Sequence, residues 1–209
     1  MAVTGVVGLP KQARGRERFE RLLRAAAALI AEQGVEGVAF SEIARRTGTA
    51  QGSLYQYFPS KEALVTTLHA KLVDELVAVA VACRSAFLEA PAPRGLEGLM
   101  DVLLPALARF YAANPAYREI RHALPRSPAI QFAEANADRR GAEVLTHMLR
   151  DVGLDPADVV IEALIELGDA LLPWAGEDPD RLGEVRAIFL SYLGVMRPVM
   201  RPMVRTHNQ

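Results

Sequence analysis

The stretch FSEIARRTGTAQGSLYQYFPSKEAL, Phe40 to Leu64, permits few folds. Gly48 interrupts one helical pattern and Pro59 stops the next, so two short helices must meet at a tight turn. Helices crossing steeply need an apolar anchor followed by a small residue, which Ile43-Ala44 supply. They also need a turn residue that accepts positive φ, here Gly48, and a buried residue about six beyond it, here Leu54. That is the spacing of a helix-turn-helix over about 40–59, with a first helix from about Ser41 to Thr47 and a second from Gln51 to Phe58. The second helix is too short and too polar for a core helix. It presents Gln51, Ser53, Tyr55, Gln56 and Tyr57 around a thin anchor of Leu54 and Phe58, with Gly52 at its start. A major groove admits such a helix: glutamine pairs with adenine, serine and threonine bond bases or phosphates, and tyrosine hydroxyls reach phosphate oxygens.

Helical periodicity recurs on both sides of this window. Phe19, Leu22, Leu23, Ala26, Leu29 and Ile30 share one face of a helix that begins near Arg14 and stops at Gly34. Ser60 is placed to cap a fourth helix carrying Leu64, Leu68, Leu72 and Leu76 and reaching Glu89. Further helical patterns cover 95–113, with Pro105 inside, 128–151, 156–174 and 180–203. Turn clusters at Asn114-Pro115, Pro125 to Pro128, Gly153 to Pro156 and Gly176 to Asp180 separate them. No segment alternates with period two. The expected fold is all-α with about nine helices: a flexible arm over 1–13, a DNA-reading domain over 14–60, and a second domain over 61–209.

Charge divides unevenly along the chain. Residues 1–61 hold nine Lys/Arg against five acidic residues, a net +4; the other 148 hold 15 against 20, a net −5. A basic head suits a polyanion, although a solvated helix surface gives the same excess, and charge alone does not choose between them. Arg45 and Arg46 fit either a solvated or a phosphate-bound role. The single cysteine, Cys83, cannot form an intrachain disulfide and sits among alanines and valines like a small buried hydrophobe. No apolar run approaches the roughly 18–20 residues that span a bilayer, and the first ten residues lack the form of a signal peptide. A cytoplasmic protein is expected.

The window also resembles the tetracycline-repressor (TetR) family. The resemblance runs from about Arg16 to Leu68 and is densest in GSLYQYFPSKEAL, Gly52 to Leu64. It implies a three-helix DNA-binding domain, a larger helical domain that dimerises and binds a small molecule, and repression relieved by that ligand. By position it implies groove and phosphate contacts from Thr49, Gln51, Gly52 and Ser53, and phosphate contacts from Tyr55, Tyr57 and Lys61. The sequence departs from the pattern in two places. Where the family usually has a threonine that caps the second helix, Ala39 and Phe40 stand, so either Ser41 takes that role or the contact is absent. Thr47 and Thr49 occupy positions that are commonly apolar beside the turn glycine.

In the second domain, VVIEALIELGDALLPWAG is apolar around most of its circumference. Such a helix is buried, either inside the chain or in a four-helix interface across a two-fold axis. The expected interface residues are Leu164, Leu167, Leu171, Phe189, Tyr192, Leu193 and Met196. Candidate walls of an apolar ligand pocket are Met100, Phe110, Tyr111, Tyr117 and Trp174, joined by Phe87, Phe132 and Met148, with Arg118, Arg121, His122 or His147 as polar handles. Glu143 and His147 share a helix face, but no second His or Cys lies near them in sequence. There is no phosphate loop, nucleophile elbow or HExxH motif. No catalytic residue, metal or cofactor is expected. The partners expected are double-stranded operator DNA, a small-molecule effector and a second copy of the chain; a second domain that binds a protein partner instead is the alternative.

Overall fold

The structure is a computed structural model. It describes the backbone of residues 12–91, 95–123 and 128–196, and the side chains of these residues except 128–138. All but the end of the expected arm, the Phe132 side chain and the continuation of the last helix to 203 lie outside the described residues. Nine α-helices follow one another there, without a strand: α1 (Ala13–Gln33), α2 (Phe40–Thr47), α3 (Gln51–Tyr57), α4 (Lys61–Glu89), α5 (Leu96–Ala113), α6 (Pro115–Ala123), α7 (Pro128–Asp151), α8 (Asp158–Ala175) and α9 (Pro179–Met196). The all-α expectation holds.

Residues 115–123, between two turn clusters and outside the helical patterns expected from periodicity, form α6, with Ala116, Tyr117 and Ile120 buried. Pro115 is the reason. At the first helical position a proline's missing N–H costs nothing and its fixed φ starts the helix, so it opens α6 rather than extending the turn. At only nine residues, α6 shows little more than two turns of periodicity.

The chain packs as two compact units, Met1–Asp74 with Asn114–Asn136, and Glu75–Ala113 with Ala137–Gln209. In the first, α1 packs on α2 and α6, and α2 on α3. The six apolar α1 positions are buried as their spacing predicts, with Val38, Phe40, Ile43, Leu54, Phe58 and Leu64 completing the core. Burying a leucine, isoleucine, valine or phenylalanine among them stabilises by about 1.5–3 kcal/mol each. Phe58 stacks on Phe19 at 5.2 Å between centroids, which anchors the end of α3 to α1. On α4, Leu64, Leu68 and Leu72 are buried, as is His69, whose ring lies parallel to Tyr117 of α6 at 5.9 Å.

In the second unit α5, α8 and α9 pack on one another. The Tyr111 hydroxyl of α5 donates to the Asp169 carboxylate of α8. Arg84 of α4 holds Asp151 of α7 through two bonds of 2.6 and 3.1 Å, which keeps the Asp151 carboxyl below its ordinary pKa. Cys83 is buried, its Sγ 3.8 Å from the Val102 carbonyl, and burial pushes its thiol pKa up. Among the described residues no helix is long and apolar enough to cross a membrane, and no group of three His, Cys, Asp or Glu side chains is arranged to hold a metal ion.

Candidate nucleic-acid interface

The turn between α2 and α3 is built as its sequence requires. Gly48 takes φ 62°, ψ 28°, the left-handed region, and its N–H and that of Thr49 both return to the Ala44 carbonyl. A side chain at Gly48 would meet no atom within 4 Å, so it is the dihedral angle that calls for glycine. The Thr47 hydroxyl donates 2.8 Å to the Ile43 carbonyl, so the unusual threonine satisfies itself within its own helix. Beyond the turn, α3 is held by Leu54 and Phe58, both fully buried. Its remaining surface is open: Gln51, Gly52, Tyr55 and Gln56 are exposed, and Ser53 and Tyr57 half-buried.

The two tyrosines are placed differently. Tyr55 is 53% exposed and lays its ring against Phe40 of α2 at 4.9 Å. Tyr57 leans on Phe19 at 6.1 Å and on Phe58 at 6.4 Å, so its ring completes the edge of the α1–α3 core. Gly52 has no internal cause. A Cβ built there meets nothing within 4 Å, and its dihedral angles are helical, so the fold itself would gain from alanine.

The start of α2 has no side-chain cap. Ala39 is the N-cap and no side chain bonds there, while Ser41 lies inside the helix, exposed, and does not cap it. At the start of α4, by contrast, the Ser60 hydroxyl accepts the Ala63 N–H at 3.1 Å, the expected cap. Lys61 donates 2.7 Å to the Glu36 carbonyl, tying α4 to the turn after α1, with the Glu36 carboxylate 3.8 Å away.

A chain of alternating charges runs across α2 and the end of α1. Arg46 grips Glu32 with both terminal nitrogens, at 2.8 and 2.7 Å, and reaches Glu42 with Nε at 2.9 Å. Arg45 makes its own two-pronged contact with Glu42, at 2.7 and 2.6 Å. These guanidinium bonds, Arg45's first, hold the Glu42 carboxyl down to about pKa 2, and Arg46 lowers that of Glu32. The sequence alone did not reveal this network, because Glu32 and Arg46 are fourteen residues apart and only the fold brings them together.

The residues expected to line a ligand pocket fall into several environments. Met100, Phe110 and Tyr111 are buried on α5. Tyr117 is buried and His122 exposed, both on α6 of the first unit. His147 is exposed beside an open cleft of about 320 Å³ lined also by Arg139, Ile161 and Glu162, and its Nδ1 bonds the Glu143 carbonyl of its own helix. Trp174 is 52% exposed under the Arg181 guanidinium, 5.3 Å from the ring. Of the expected interface residues, Leu164, Phe189 and Leu193 are buried within the chain, whereas Leu167, Leu171, Tyr192 and Met196 are half-buried. The apolar residues left most exposed on α8 and α9 are Val159, Trp174, Ile188 and Val195. The last two recur with Tyr192 at helical spacing.

Residues 22–68 match the model of the bacterial regulatory proteins of the tetR family. The chain is 40% identical over 65 residues to an HTH-type transcriptional regulator of Bacillus subtilis, YvdT, covering 31% of this chain and 32% of that one. It is 29% identical over 124 residues to the HTH-type transcriptional repressor KstR2 of Rhodococcus jostii, covering 59% and 60%. The matched stretch thus spans less than two thirds of either relative. Over the whole chain the fold is similar to that of a transcriptional regulator from Pseudomonas aeruginosa PAO1, with a TM-score of 0.70 at 16% identity, covering 92% of this chain and 95% of that one.

Proposed function

The chain belongs to the tetR family of bacterial regulatory proteins, whose members read DNA with a helix-turn-helix, and from this we propose that it represses transcription by binding an operator as a homodimer. The observation that carries the reading is α3: a seven-residue helix in which Leu54 alone is fully buried, with Gln51, Tyr55 and Gln56 exposed and a glycine that the fold does not need. Gln51 and Ser53, at the start of α3, read base edges; Thr49, Tyr55, Tyr57 and Lys61 hold the flanking phosphates, and Gly52 lets the backbone come close. Ser41, exposed in the first turn of α2, adds a phosphate contact. No step of this function is catalytic.

A second copy docks on α8 and α9. The buried side of α8, with Val160, Ile161, Leu164, Gly168, Leu172 and Ala175, is filled by its own chain. Its other side keeps Leu167, Leu171 and Trp174 at i, i+4, i+7, and α9 adds Ile188, Tyr192 and Val195 at the same spacing. Two such heads on one two-fold axis meet half-sites on one face of a duplex. A small, largely apolar ligand in the second unit favours another separation of the heads and lowers operator affinity by linkage; α4, which runs from Lys61 into that unit, transmits the change.

The test is selection of bound duplexes from random DNA at about 0.15 M salt, where non-specific phosphate binding is weak. A Gln51→Ala/Tyr57→Ala variant serves as the control. One palindromic sequence, lost in the control, is the expected result. Recovery of no shared sequence would overturn the operator reading.

A further inference from the structure

Non-specific and specific DNA binding draw on different groups. The first grows with the number of cations free to neutralise phosphates, the second with contacts to base edges and with the fit of the whole surface. The first 61 residues carry a net +4, which by itself favours adhesion to any duplex. Yet the two arginines of α2, the helix that packs on the reading helix, do not stand free. Both arginines of α2 are bonded to Glu42, Arg45 by two hydrogen bonds of 2.7 and 2.6 Å and Arg46 by one of 2.9 Å. Glu42 is held in turn, because Arg46 is clamped to Glu32 at the end of α1 and cannot follow a moving carboxylate. Arg45 is the outermost member: its side chain is 72% exposed, against 28% for Glu42 and 27% for Arg46.

We propose that Glu42 is a specificity-determining residue of the DNA reader, holding Arg45 away from phosphates so that arbitrary duplexes gain no contact from it. The proposal rests on the operator-binding reading above. A guanidinium already engaged by both oxygens of a carboxylate must lose those bonds to join a phosphate, and a bidentate exchange of this kind returns little. With a neutral partner the same guanidinium is available. One added phosphate contact releases about 0.9 of a counterion, which at ~0.15 M salt corresponds to a gain of about fivefold in affinity for any sequence. In the operator complex the base contacts of α3 fix the register, so the duplex cannot shift to bring a phosphate to Arg45. An arbitrary duplex settles wherever phosphate contacts are most numerous. The ratio of specific to non-specific affinity therefore falls when Glu42 loses its charge.

The experiment measures dissociation constants for the selected operator and for an unrelated duplex of equal length, from about 0.05 to 0.2 M salt. It uses the full-length protein and its Glu42→Gln, Arg45→Gln and doubly substituted forms. Glu184→Gln, on α9 of the second unit, changes the net charge equally. Glu42→Gln is expected to bind the unrelated duplex about three- to tenfold more tightly, with a salt slope steeper by about one, and the operator no more than about twofold more tightly. Arg45→Gln alone is expected to leave non-specific binding within about twofold, and in the Glu42→Gln background to cancel the gain.

Three results would overturn the proposal. Glu42→Gln and Glu184→Gln could act alike, so that only net charge matters. Operator and unrelated duplex could tighten equally. Arg45→Gln alone could weaken non-specific binding strongly, which would put Arg45 on phosphates already; this arm stands even if Glu42→Gln does not fold. Failure of the wild-type protein to select any sequence would instead count against the operator reading itself.

Discussion

At Gly52 stability and function pull in opposite directions. A glycine inside a helix costs roughly 1 kcal/mol relative to alanine, and the space around this one is empty out to 4 Å. Gly52→Ala should therefore raise the unfolding free energy by about 0.5–1 kcal/mol in urea titrations, while weakening operator binding at least tenfold. Tighter or unchanged binding would remove the reason given for this glycine. Lys61 serves two ends in the same way, since its ammonium also holds the Glu36 carbonyl. Lys61→Ala should lower affinity for all sequences, reduce the salt slope by about one, and cost about 1 kcal/mol of stability. Residues whose job follows from backbone chemistry were plain in the sequence: Gly48 at a left-handed position, Ser60 as a cap, Leu54 as an anchor. Those whose surroundings come from a distant segment were not. Nothing local to Tyr57 announces that its ring closes against Phe19, and nothing near Arg46 announces Glu32.

At the level of elements, long helices announced themselves by period and short ones by punctuation. Helix α1 was legible in six apolar positions, and α2–α3 in one glycine and one proline. Helix α6 was not, because nine residues bracketed by prolines read equally well as a turn; Tyr117 and Ile120 declare a face only once α1 lies against them. Among inter-helix links in the second unit, the Arg84–Asp151 pair between α4 and α7 is a testable one. Its carboxyl is depressed by the Arg84 bonds, so it stabilises the fold above the ordinary carboxylate pKa and loses that contribution as pH falls through the depressed value. Asp151→Asn is expected to cost about 1 kcal/mol near neutral pH, with the difference from wild type shrinking below about pH 4. A difference that stays constant down to pH 2 would mean that the charge of Asp151 contributes nothing.

Over the whole molecule, the helices of the second unit were foreseen better than the use of their faces. A helix apolar all round does not say which side meets its own chain, and α8 turns Leu164 inward while Leu167 and Leu171 stay half-exposed. The choice is made by α5 and α9, which sequence periodicity does not place. The interface test follows from the exposed positions: Ile188→Arg, at a residue 40% exposed, should leave the helical content unchanged and yield monomers in sedimentation velocity. Monomerisation should also abolish binding to a two-half-site duplex at concentrations where the wild type saturates it, because each head then binds without its neighbour's contribution. An Ile188→Arg protein that remains dimeric would move the interface off this face.

Trp174 is the chain's one tryptophan, and it lies half in solvent on the same side of α8, beneath Arg181. Indole emission from this protein therefore reports a single location. If a second copy covers that ring, diluting the protein should red-shift its emission and open it to acrylamide quenching, so subunit exchange becomes visible without any dye. The midpoint of that dilution curve would be the dimer dissociation constant, obtained on the unmodified chain.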